Sequence, residues 1–152
     1  MIDTLLFNFI WILPLLTTAI CIPIGVRHSE AIKRIHLGSA VIVLGIALYL
    51  TIKTFSQGAL PSGNSFSLSF ITQFSWWNAI GAEYFMGADA LSLLMILLTA
   101  IIVFTGMLVS WSIAGNTKIF FALIQILGTS IYGVFMSFDL FLFFIFYEME
   151  AL

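Results

Sequence analysis

Residues 139–152 read DLFLFFIFYEMEAL, two carboxylates, Glu148 and Glu150, set in a run of Phe, Leu and Ile. A carboxylate at the centre of a bilayer costs roughly 2.5 to 3.5 kcal/mol even on the most lenient scale, so an acid inside such a run reads by default as functional. With Asp139 as the water boundary and ~1.5 Å of rise per residue, Glu148 lies about 13 Å into a hydrocarbon core of ~30 Å. At about 100° per residue, Glu150 is some 200° round the helix from Glu148, so the two acids face opposite sides and do not share a site. Glu148 is therefore the first candidate functional acid and Glu150 the second. The plainer alternative is a short helix whose last turn is wet and whose two glutamates are simply solvated.

Composition outside this stretch agrees with a membrane setting. Of the 152 residues 62% are apolar and 8% charged, and the mean hydropathy is +1.17. Soluble domains average about 25% charged residues, so the chain reads as a multi-pass membrane protein. Five basic residues with no basic stripe exclude a nucleic-acid surface. The single cysteine, Cys21, excludes an internal disulfide and a Cys-ligated iron–sulfur cluster. Neither G-x-G-x-x-G nor G-x-x-x-x-G-K-[ST] occurs, so nothing points to nucleotide binding. The expectation is that this chain carries no cofactor and no metal of its own.

Five apolar stretches are long enough to treat as spans: residues 5–24, 35–52, 91–111, 119–137 and 139–152. The first contains Pro14 and Pro23, which a membrane helix tolerates where neighbours re-satisfy the freed carbonyls. A secretory signal would put basic residues ahead of the apolar run, whereas here Asp3 precedes it and Arg27, Lys33 and Arg34 follow. His28 and His36 flank that basic segment without companions and read as interfacial polar residues rather than metal ligands. Gly38, Ser39 and Gly45 on the second span, and Thr129 and Gly133 on the fourth, read as surfaces for close helix approach. Asp89 and Ser92 read as capping groups at the head of the third span. Gln125, near the middle of the fourth, is a candidate for lining a hydrated path, with an interhelical hydrogen bond as the plainer alternative.

Residues 54–87 form the long polar loop. Phe66, Leu68 and Phe70 alternate with serines in the manner of a short strand, and residues 81–86 are the expected partner strand. Trp76 and Trp77 suit the headgroup level, and Glu83 reads as a solvated rim residue. Four basic residues fall on one side of the spans (Arg27, Lys33, Arg34, Lys118) and one on the other (Lys53), which puts the N-terminus outside. The expected fold is an all-α integral membrane protein, a single membrane domain of five transmembrane helices with a short extracytoplasmic hairpin loop between the second and third.

Three stretches resemble one family. Trp77 and FMGADALSLLMILLT, residues 85–99, resemble the tryptophan and the G-x-D-G-[IL]-S lead into the third helix of the antiporter-like membrane subunits of respiratory complex I, the chain 4 or subunit M type. GVFMSFDLFLFFIFYEMEAL, residues 133–152, resembles that family's fifth helix, and the basic first loop agrees in position. Ala90 stands where the family more often has glycine, while Asp89 and Ser92 remain in place.

The resemblance implies a proton-translocating membrane-arm subunit of a quinone oxidoreductase, with NADH or ferredoxin, iron–sulfur and quinone sites on partner subunits. It also implies that Glu148 is an acid coupled to a buried lysine on a later helix. Burial favours a neutral carboxyl and a nearby ammonium favours the carboxylate, so a lysine that moves or is neutralised toggles the proton. No Lys or Arg lies inside the expected spans, and the resemblance reaches over only the first part of the family's usual length. The expectation is accordingly a piece of a longer subunit, or a split subunit completed by a second polypeptide. Expected partners are the other membrane-arm subunits, the remaining helices of the same subunit and the lipid bilayer. The expected membrane is the bacterial cytoplasmic membrane, with a thylakoid or organellar inner membrane as the alternative. The same stretches also resemble subunits of multisubunit Na+/H+ antiporters and leave a membrane-bound hydrogenase partner open, and a non-transporting assembly module is the third reading.

Overall fold

A computed structural model describes residues 1–23, 29–56, 68–77, 81–113 and 116–151. Among the described residues four helices are long and apolar enough to cross a membrane: α1 (Ile2–Cys21), α2 (Ser29–Ser56), α3 (Ala90–Val109, prolonged by a 3-10 turn at Ser110–Ser112) and α4 (Thr117–Met136). Between α2 and α3, strands β1 (Ser69–Trp77) and β2 (Ala82–Ala88) pair antiparallel, and α5 (Leu140–Ala151) follows α4. α5 has twelve described residues, fewer than the roughly 17–25 a crossing takes. Four of the five expected spans are thus long enough to cross among the described residues, and the fifth is present there as this shorter helix.

The bundle is apolar outside and partly polar inside, the pattern of a lipid-facing protein. Leu94, Leu98, Ile101 and Ile102 are exposed on α3, while Thr99 is buried there and Gln125, Thr129 and Ser130 are buried on α4. Helices suit this setting because every backbone group is bonded within its own segment. The same thrift extends to side chains: the hydroxyls of Thr17 and Thr18 donate to Leu13 O at 2.7 Å and Pro14 O at 3.0 Å. α1 closes where the Ile22 amide reaches Thr18 O at 3.1 Å, so Pro23 sits in a turn after the helix rather than inside a span.

α2 runs 28 residues and overshoots the expected span at both ends. Ala31, Lys33 and Arg34 are good helix formers, and Lys33 buries its stem instead of staying in a solvated loop. Its ammonium donates to Trp111 O at 2.7 Å and lies 5.7 Å from the Trp111 ring. Arg27 and His28 fall outside the described residues. Two of the three expected contact residues on α2 also move: Gly38 and Gly45 face open space, because the buried face runs through Ile32, His36, Ser39, Val43, Ala47 and Leu50. Ser39 alone is in contact.

α4 packs against each of the other four helices. Its glycines allow this: a Cβ at Gly128 would meet Val103 of α3 at 2.9 Å, and one at Gly133 would meet Phe146 of α5 at 2.1 Å. At one end of the bundle, Lys53 bonds Asp3 at 2.9 Å, Phe138 N bonds Phe85 O at 2.9 Å, and Met86 bridges to Ser137. At the other, Lys33 holds Trp111 and Lys118 donates to Ile22 O. Successive long helices thus alternate in direction.

The strand pair sits against the first of these ends. Asn8 on α1 donates to Thr72 Oγ1 at 2.8 Å and accepts from the Tyr84 hydroxyl at 2.8 Å, tying both strands to the helix. β1 starts at Ser69, later than the serine alternation suggested, and residues 65–67 lie outside the described residues. Its register slips between Ser69 and Thr72, where Phe70 takes φ 60 and stacks on Phe7 at 5.6 Å. A bulge of this kind re-aims one side chain, and here it turns an aromatic ring into the core.

Candidate functional site

The site is built from the start of α5. Asp139 accepts from the amides of Phe141 at 2.9 Å and Leu142 at 3.0 Å, so an acid at the water boundary satisfies the first free N–H groups of the helix. From that cap, Leu142 and Phe146, each 5% exposed, fasten α5 to the bundle. Phe146 covers Gly133 and meets the Trp11 ring edge-on at 5.5 Å. α5 also touches β2, so its direction is set from both sides.

These anchors decide where the glutamates go. Glu148 follows Phe146 by two residues, about 200° round the helix, and is exposed on the side away from the anchors. Glu150 follows Phe146 by four residues, about 40° round, and so continues the line of Leu142 and Phe146, yet it too is exposed. The two acids thus stand on opposite sides of α5, and both are exposed.

Gln125 lies elsewhere. It is 1% exposed, and its Nε2 donates to Ser39 Oγ of α2. Its backbone carbonyl accepts from Thr129 Oγ1 at 2.9 Å, and its side-chain Oε1 has no partner among the described residues. Along α4 it is eight residues from Gly133, roughly 12 Å. Among the described residues no hydrogen bond joins Gln125, Glu148 or Glu150 to one another. The plainer alternative for Gln125, an interhelical bond, is realised.

His36, expected as an interfacial polar residue, is instead carried inside the bundle, because the inward face of α2 runs through it. His36 is fully buried, with its ring 6.4 Å from that of Phe121. The signal was present in the spacing: Lys33, His36 and Ser39 recur every three residues and so share a face. Among the described residues no three His, Cys, Asp or Glu side chains converge on one point.

No family model matches the chain. Similarity to individual proteins is informative. The chain is 31% identical over 150 residues to chain 4 of the chloroplastic NAD(P)H-quinone oxidoreductase of Mesostigma viride, covering 95% of this chain and 28% of that protein. It is 33% identical over 135 residues to NADH-quinone oxidoreductase subunit M of Buchnera aphidicola, covering 88% and 26% respectively. A third relative, chain 4 of the chloroplastic enzyme of Chara vulgaris, is 33% identical over 110 residues, covering 72% and 22%. The chain spans about a quarter of the length of the curated relatives it matches.

Proposed function

The chain belongs to the family of chain 4, or subunit M, of the NAD(P)H- and NADH-quinone oxidoreductases, and from this we propose that it is a proton-translocating membrane-arm subunit of such a complex. The observation that carries the reading is Glu148: an acid nine residues, about 13 Å, beyond the Asp139 cap, turned away from the helices that anchor α5. A carboxylate on that face is available to whatever packs there, and inside lipid it stays only if something polar or charged meets it. A further segment of the same subunit, bringing a cation, meets that requirement.

In this reading α5 enters from the side of the strand pair and is the first part of a fifth crossing, with the N-terminus outside. The support is charge: Lys33, Arg34 and Lys118 gather at the end of Trp111, opposite the end that holds Asp3, Asp89 and Asp139. Redox chemistry belongs to partner subunits, and this chain moves protons in response to it.

The test is Glu148→Gln in the assembled complex, reconstituted in vesicles and driven by quinone reduction. Proton uptake per electron is expected to fall while electron transfer and assembly persist. Unchanged proton uptake in the assembled variant refutes the reading and leaves a packing role. Co-purification with iron–sulfur and quinone-binding subunits separates this proposal from a free-standing cation/proton antiporter.

A further inference from the structure

Facing helices α2 and α4 carry polar atoms into the bundle that the reading above does not use. His36 is fully buried, and neither Nδ1 nor Nε2 has a hydrogen-bond partner among the described residues. One turn along α2, Ser39 donates to His36 O at 2.9 Å and accepts from Gln125 Nε2, whose companion Oε1 is also unpartnered. One turn the other way, Lys33 carries the same stripe to the end of the bundle at Trp111. Phe121 and Met107, both fully buried, close the apolar side.

The unpartnered ring nitrogens of His36 and the unpartnered Oε1 of Gln125, brought to one face through Ser39, call for a small ligand that both donates and accepts. A neutral imidazole offers one N–H and one lone pair, and an amide oxygen offers lone pairs only. A cation would satisfy the lone pairs and be repelled by the N–H, and an anion would do the reverse. Water does both, and one molecule between the helices can bond one ring nitrogen of His36 and Gln125 Oε1 together. We propose that His36, Ser39 and Gln125 form an internal water-binding site between α2 and α4, one to two helical turns in from Lys33, and that this site is the inner end of a hydrated path entering beside Lys33. None of its residues lies on α5, so the site stands whether or not Glu148 carries protons.

The complete subunit in its assembled complex, imaged at a resolution that shows ordered water, is expected to hold a density peak about 3 Å from a His36 ring nitrogen and from Gln125 Oε1. His36→Gln keeps the peak and His36→Phe loses it. A native map in which those atoms bond each other or another side chain with nothing between them overturns the site, as does a peak that persists in His36→Phe. A second readout needs no variant: nitrogen NMR of labelled histidine in the native complex should show magnetisation transfer from water to the His36 ring and loss of its N–H signal soon after transfer to heavy water. No transfer overturns the site, and transfer with an N–H that resists exchange overturns the path.

Discussion

The ring of Phe146 lies flat on Gly133, so close that a single added methyl would stand 2.1 Å from Phe146 Cδ1 and 2.2 Å from Cγ. That contact fixes both the approach of α5 to α4 and, two residues on, the direction of Glu148. Gly133→Ala is expected to push α5 outward at a cost of about 1–3 kcal/mol, the usual range for overpacking a tight interface. Adding Phe146→Ala removes the obstruction, so the double variant should be more stable than the sum of the single losses allows. Thermal unfolding of the four complexes closes this cycle. Strict additivity would mean that the two residues do not set the helix spacing.

Asp139 is the only carboxylate bonded to the first turn of α5 among the described residues. Asp139→Ala leaves the Phe141 and Leu142 amides without that acceptor, a loss of about 0.5–2 kcal/mol for an N-cap. Asp139→Asn keeps an acceptor oxygen and should behave like the native protein. Hydrogen exchange at Phe141 and Leu142 distinguishes the two: acceleration in the alanine variant only is the expected result, and equal acceleration in both would assign Asp139 a role through its charge.

Tyr84 joins the strand pair to α1 through Asn8, and burial pushes its phenol above the usual tyrosine range. Tyr84→Phe removes one hydrogen bond, worth about 0.5–1.5 kcal/mol at neutral pH. Because the folded state holds the proton more tightly than the unfolded state, the stability linked to Tyr84 is fully present below the ordinary tyrosine value of about 10 and is lost as pH rises beyond it. The gap between native protein and Tyr84→Phe should therefore be constant through neutral pH and shrink in strong alkali. A gap that changes between about pH 6 and 9, below the ordinary tyrosine value, would show that another group governs it.

How far the sequence carries this far depends on the kind of signal. The four long apolar runs were legible because lipid demands them whatever their neighbours are. The ends of α2 were not: a cluster of Arg27, Lys33 and Arg34 resembles a loop until Trp111 is seen to receive Lys33. Gly38 and Gly45 invite a contact that depends on which face of α2 turns inward, and tertiary packing chose the face of His36 and Ser39. The caps Asp89 and Asp139 act locally, and Asp89 was legible from position alone, accepting from Ser92 N at 2.7 Å. Burial of His36 under Phe121 requires knowing that α2 and α4 meet, which no single stretch states.

The two glutamates give the last prediction. Leu142 and Phe146 fasten one side of α5, and Glu148 stands on the other, whereas Glu150 continues the anchoring line. If proton movement follows the outward face, Glu148→Gln should lower coupled proton translocation by at least about a hundredfold, the lower end of the range for losing one positioned proton-transfer group. Glu150→Gln should keep most of it, and the double variant should resemble Glu148→Gln alone. Vesicle acidification at matched electron-transfer rates measures all three. Comparable losses from both single variants would mean that the two acids act together, which a separation of 200° on one helix does not permit unless α5 unwinds between Phe146 and Glu150.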